Sequence, residues 1–224
     1  MTRTAFIVAH GQPGAPAGQQ RAIEALAAQV QALMGTDWCI GGATLAAADS
    51  MIPAAKADVI YPMFMADGWF TQSEMPRRLQ AAGGTSAKIL RPFGLDPGLV
   101  ALGLRAASSA CDPATTTLLI AAHGSGRSRR PAEVTENYAI QLRATGGFRA
   151  VVTGFIEEAP RLIDAARIGG RGICLPFFAT TAGHVLDDIP TDLAQAGFDG
   201  LILPPLGALP QVPQLIADAI AAAG

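Results

Sequence analysis

Short apolar runs alternate along this chain with longer stretches whose apolar residues recur every three or four positions. Residues 5–10 (AFIVAH) read as a strand. Residues 19–35 follow with helical spacing, Ile23, Leu26, Ala27, Val30 and Leu33 sharing one face and Gly35 ending it. The pattern then predicts a strand at 38–45, a short helix at 49–57 and a strand at 58–65. A helix near 76–82, a strand at 87–93 and a helix over 97–110 complete the first half. Strands alternating with helices imply a parallel sheet covered by helices.

The same order runs again. Strands are predicted at 118–123, 148–156, 172–179 and 200–206, and helices at 131–144, 160–168, 190–196 and 210–223. Landmarks keep register between the halves. Thr4, Ile7, Ala9, His10 and Gly11 return as Thr117, Ile120, Ala122, His123 and Gly124. Pro62 and Phe64 match Pro176 and Phe178; Glu74-Met75-Pro76 matches Asp188-Ile189-Pro190; Gly94 matches Gly207. Agreement at several landmarks indicates internal duplication, with lobes expected at 1–110 and 116–224 and a polar linker between them. The two lobes are expected to face each other across one cleft.

Composition narrows the class. Half of the 224 residues are hydrophobic and 15% are charged, which suits an α/β protein with a sizeable core. A net charge of −2 gives no basic field for nucleic acid. No apolar run approaches the roughly 20 residues of a membrane span, and no signal peptide is expected. Cys39, Cys111 and Cys174 form neither a zinc spacing nor a disulfide framework, so a reducing cytoplasm is expected. The Gly/Pro-rich stretch 10–18 lacks a phosphate-loop lysine, so no nucleotide is expected.

The halves differ in their polar residues. The chain has three histidines. His184 stands six residues before Pro190, and Phe70 holds that place before Pro76. Glu157 follows the strand ending at Ile156, and Ala46 is its counterpart. The second half therefore carries His123, Glu157 and His184, with Glu158 as an alternative to Glu157, where the first keeps His10. All three are expected at the carboxyl ends of parallel strands, where open α/β sheets bind ligands. Two imidazoles and a carboxylate suit a divalent transition metal and leave positions open.

The segments AHGS (122–125), GFIEEAP (154–160), PFF (176–178) and GHVLDDIP (183–190) resemble the class II chelatases of tetrapyrrole biosynthesis, nearest the sirohydrochlorin cobaltochelatase/ferrochelatase (CbiX-type) family. The resemblance runs from residue 5 to about 215. It implies a two-lobed fold of chelatase-like, flavodoxin-like halves. It also implies ATP-independent insertion of Co²⁺ or Fe²⁺, with Ni²⁺ a further candidate, into an anionic tetrapyrrole such as sirohydrochlorin, in cobalamin- or siroheme-type biosynthesis. His123 and His184 then correspond to the paired catalytic histidines, and Glu157 to a metal-binding glutamate seen in related members. The second half holds the intact site and the first a degenerate one. A non-catalytic tetrapyrrole or metal carrier and a protoporphyrin ferrochelatase are the alternatives.

Arg127, Arg129 and Arg130 precede a helix start just after His123 and offer partners for substrate carboxylates; a solvated basic loop is the other reading. His10 is expected to line the substrate cleft. Phe64, Trp69, Phe70, Phe177 and Phe178 are candidates for its apolar wall. The chain is expected as a monomer or homodimer.

Overall fold

The computed structural model describes residues 2–84 and 86–223. The first sheet contains β1 (Arg3–Ala9), β2 (Trp38–Thr44), β3 (Val59–Pro62) and β4 (Lys88–Ile89), all parallel, in the order β2-β1-β3-β4. The second contains β5 (Thr117–Ala122), β6 (Ala150–Phe155), β7 (Gly172–Pro176) and β8 (Leu201–Ile202), parallel in the order β6-β5-β7-β8. The topologies are identical, as duplication requires. The central strands are apolar runs because both faces are covered. Every residue of β5 is buried; Leu118, Leu119 and Ile120 each stabilise the fold by about 1.5–3 kcal/mol. Of the edge strands, β4 and β8 are two residues long and exposed, and β2 and β6 form the longer edges opposite them.

The helices are α1 (Pro16–Leu33), α2 (Met51–Ala54), α3 (Met75–Ala81), α4 (Leu99–Ser108), α5 (Arg130–Thr145), α6 (Leu162–Ala165), α7 (Ile189–Gln195) and α8 (Val212–Ala221). Pro16, Pro76, Pro131, Pro190 and Pro213 sit in the first turns of five of them, where a missing N–H costs nothing. The duplication extends to tight packing. A Cβ on Gly94 would run into the Met65 carbonyl, and one on Gly207 into that of Ala179, so both repeats require glycine there. None of the helices among the described residues is long and apolar enough to cross a membrane.

The compact units differ from the linear halves at their last helices. Unit 1 is residues 1–96 with 210–224, and unit 2 is residues 97–209. In unit 1, α8 packs beside α1 and β3; in unit 2, α4 packs beside α5 and β7. The strong apolar faces of these two helices explain why each must be covered: α4 buries Leu99, Leu102 and Ala107, and α8 buries Val212, Ile216 and Ile220.

Candidate active site

In both sheets the first strand lies between the second and third, so the chain leaves it in one direction and returns on the other side. That reversal is the switch point at which α/β sheets open a crevice. His10 follows β1 and His123 follows β5, at the two switch points. Gly11 and Gly124, at φ 76° and 70°, turn the chain immediately afterwards. A Cβ at Gly124 would also lie 2.8 Å from Glu158 Oε1.

Unit 2 holds the polar site. The Ile156 amide donates to the Ala122 carbonyl (3.0 Å) and the Glu157 amide to that of His123 (2.9 Å). These bonds prolong the β5–β6 ladder to the histidine. Glu158 Oε1 accepts the Ser125 amide at 2.7 Å, while Ser125 Oγ accepts the amides of Arg127 and Ser128. Glu158 thus braces the loop after His123. Arg127 and Arg129 are exposed, and Arg130 pairs with Glu133 at 3.5 Å.

His184 reaches the site from elsewhere. The sequence places it beyond a strand end; instead it opens a π-helical turn, His184–Asp188, that runs into α7. Such turns recur at functional sites. Here it sets Asp188 against the ring, with Asp188 Oδ2 2.6 Å from His184 Nδ1. Asp188 is a site residue that the motif reading passed over, although it stands four residues after His184 in the sequence. The two rings meet edge to face, centroids 4.5 Å apart, with Nε2 of His123 3.1 Å from Nε2 of His184.

The partners assign the tautomers. The Gly124 carbonyl, 2.9 Å from His123 Nδ1, can only accept, and so can the ionised Asp188 carboxylate. Both Nδ1 atoms therefore donate. Two neutral imidazoles so held turn both Nε2 lone pairs toward each other, an arrangement that needs a shared cation between them: a proton or a metal ion. Among the described residues, no cluster of three or more His, Cys, Asp or Glu is arranged to hold a metal. Glu157 is exposed, and its carboxylate does not complete such a cluster with the pair.

Unit 1 repeats the geometry and keeps His10, but has no counterpart of His184 or Glu157. The Leu45 and Ala46 amides donate to the Ala9 and His10 carbonyls at 2.9 and 3.1 Å, so Ala46 occupies Glu157's backbone position. His10 Nδ1 lies 2.6 Å from the Gly11 carbonyl. Phe70 meets His10 edge to face at 4.3 Å and 84°, where the His123–His184 pair has 81°. Phe70 opens its own π-helical turn, Phe70–Glu74, and stacks 6.3 Å from Phe64, matching the 6.5 Å between His184 and Phe178. Phe177, a candidate wall residue, is instead core: 2% exposed and packed on Tyr138.

Glu74 stands where Asp188 stands but serves a different end. It is buried, forked by Arg77 at 2.8 and 2.9 Å and bonded by Arg78 at 2.6 Å. Arg78 also donates to the Leu45 carbonyl, tying the turn to the end of β2. Hydrogen bonds from Arg77 and then Arg78 hold the Glu74 carboxyl down at about 2. Because this is below its unfolded value, the contribution to stability is present above about pH 4.5 and is lost as pH falls through about 2. In acid denaturation followed by circular dichroism, Glu74→Gln should lower stability at pH 6 and leave a shallower decline between pH 4.5 and 2. An unchanged profile would mean that the clamp adds nothing to the fold.

The CbiX family model matches residues 117–223. A solved structure of CbiX, described as the terminal enzyme for biosynthesis of siroheme in denitrifying bacteria, is 55% identical. That match covers 99% of this chain and 100% of the other, with a TM-score of 0.90. SirB from Bacillus subtilis, solved with Fe³⁺, covers 99% of this chain and 95% of its own at 13% identity and a TM-score of 0.76. The sirohydrochlorin chelatase SirB from Bacillus subtilis subspecies spizizenii, in complex with cobalt, gives 13% identity, 99% and 94% coverage and a TM-score of 0.72. At that identity the likeness to the two SirB structures is one of fold. No curated protein matches the chain.

Proposed function

The chain belongs to the CbiX family and is a metal chelatase; from that premise we propose that it inserts a divalent ion, Co²⁺ or Fe²⁺, into sirohydrochlorin at the His123–His184 pair. The observation that carries this reading is the facing pair of Nε2 atoms. At 3.1 Å apart they suit neighbouring ligands of one ion at about 2.1 Å from each. Borderline imidazole nitrogen, with no thiolate beside it, holds Co²⁺ or Fe²⁺ without trapping it. Glu157, rooted beside His123 through its amide, supplies a carboxylate that shifts the ion toward the ring.

Insertion exchanges one M²⁺ for the two inner N–H protons of the macrocycle. As the ion passes to the pyrrole nitrogens, the vacated Nε2 atoms accept those protons and release them to water. Asp188 keeps His184 in the tautomer that first binds the ion and then stabilises the imidazolium. Arg127 and Arg129, exposed beside the site, pair with substrate carboxylates. No redox step and no nucleotide are needed. The three free cysteines suit a reducing cytoplasm.

Spectral titration tests the reading. Metal-free sirohydrochlorin with Co²⁺ or Fe²⁺ should convert to the metallated spectrum faster with protein than without, and without ATP. No rate above the spontaneous one with Co²⁺, Fe²⁺ or Ni²⁺ would overturn it.

A further inference from the structure

The carboxyl edge of the unit 1 sheet lies outside the chemistry above, yet it is built as carefully. It has the same switch point, the same glycine turn and the same edge-to-face ring pair as the metal-binding edge. What differs is the side chains, and the changes share one direction. Phe70 replaces a metal ligand with an apolar ring. Ala46 removes the carboxylate that Glu157 provides. Glu74, in the place of Asp188, is covered by two guanidinium groups from α3, so its charge is more than offset by Arg77 and Arg78. Arg77 remains 67% exposed despite its bond to Glu74. Trp69 is 62% exposed and Phe70 38%, their rings 4.9 Å apart, with Phe64 and His10 behind Phe70.

A core role does not account for rings this exposed, and contiguous exposed apolar surface marks binding. A cation-binding edge has here become an exposed pair of aromatic rings, followed in α3 by an arginine that stays largely exposed although its fork holds Glu74. That combination fits a flat, conjugated, polyanionic ligand: one ring face to face with it, the other edge-on, and the exposed remainder of the Arg77 guanidinium toward its carboxylates. We propose that Trp69 and Phe70, their rings 71° apart, hold the tetrapyrrole macrocycle between a face and an edge, one ring stacking on it and the other meeting it edge-on, and take no part in binding the ion. The inference rests on the tetrapyrrole reading above and adds a second, metal-free binding surface to it.

The test uses metal-free sirohydrochlorin as probe, with equilibrium affinity read from the macrocycle's own absorbance. Trp69→Ala and Phe70→Ala should each weaken binding about tenfold, equivalent to about 1.4 kcal/mol. Trp69→Phe, which keeps a ring, should stay within about threefold of wild type. His184→Ala should lose turnover and keep its affinity. Trp69→Ala, at the more exposed ring, should melt with the wild type, and Phe70→Ala slightly below it because Phe70 also packs on His10 and Phe64. Wild-type affinity in both alanine variants would overturn the aromatic contact while leaving the chelatase reading intact. So would unchanged affinity with an altered oligomeric state in sedimentation, which would make this face a contact between copies. Absence of turnover in the wild type would strike the chelatase reading instead, with the affinity comparison still deciding the aromatic contact.

Discussion

Replacing His184 with alanine is expected to lower turnover by on the order of a thousandfold or more, and His123→Ala should do the same. Each substitution removes one of two nitrogens that face each other at 3.1 Å, so either loss leaves a single imidazole with no partner. The two losses should be far from additive, because the pair acts as a unit. Asp188→Asn should cost less, about 10- to 100-fold, in line with other groups that orient a ligating histidine. It leaves Nε2 in place but removes the carboxylate that fixes the ring's tautomer and stabilises its cation. Glu157→Ala should weaken metal delivery at low metal concentration. His10→Ala should leave the chemical step largely intact, because its neighbour is Phe70 and Ala46 stands at its side. Steady-state rates across metal concentrations check all five. A severe loss in His10→Ala together with a mild one in His184→Ala would move the chemistry to unit 1.

Phe70→His should create a second metal-binding pair. His10 already has the required posture, since its Nδ1 donates to the Gly11 carbonyl and leaves Nε2 unprotonated in the neutral ring. Phe70 holds its ring against His10 in the orientation His184 adopts against His123. An imidazole in that place presents a nitrogen across the gap. Equilibrium dialysis with Co²⁺ should show binding rising from one ion per chain to two. The new site should be weaker, by about 10- to 100-fold, because Glu74 is held by Arg77 and Arg78 and cannot orient the new ring as Asp188 orients His184. Stoichiometry fixed at one ion would show that matching ring orientation is not enough. The same variant should bind the macrocycle less well, because it breaks the Trp69–Phe70 aromatic pair.

Much of this was legible in the linear pattern, for reasons that are local. Alternation of apolar runs with helical periodicity was enough for two parallel α/β lobes, since a buried parallel strand must be apolar along its whole length, as β5 is. The repeated landmarks carried the duplication: Gly94 and Gly207 recur because the same carbonyl contact recurs. Comparing the repeats also singled out Phe70 and Ala46 as the places where one half had changed. Three features depended on tertiary structure. The exchange of α4 and α8 between units is invisible locally, because an amphipathic helix shows its apolar face without naming the sheet that covers it. The part played by Asp188 depended on the π-helical turn, whose backbone leaves no periodic signature in five residues. The division between Glu157 and Glu158 was ambiguous in sequence. Only the fold showed that Glu158 is committed to the Ser125 amide, because adjacent residues leaving a strand point to different sides and long-range contacts decide what each one meets.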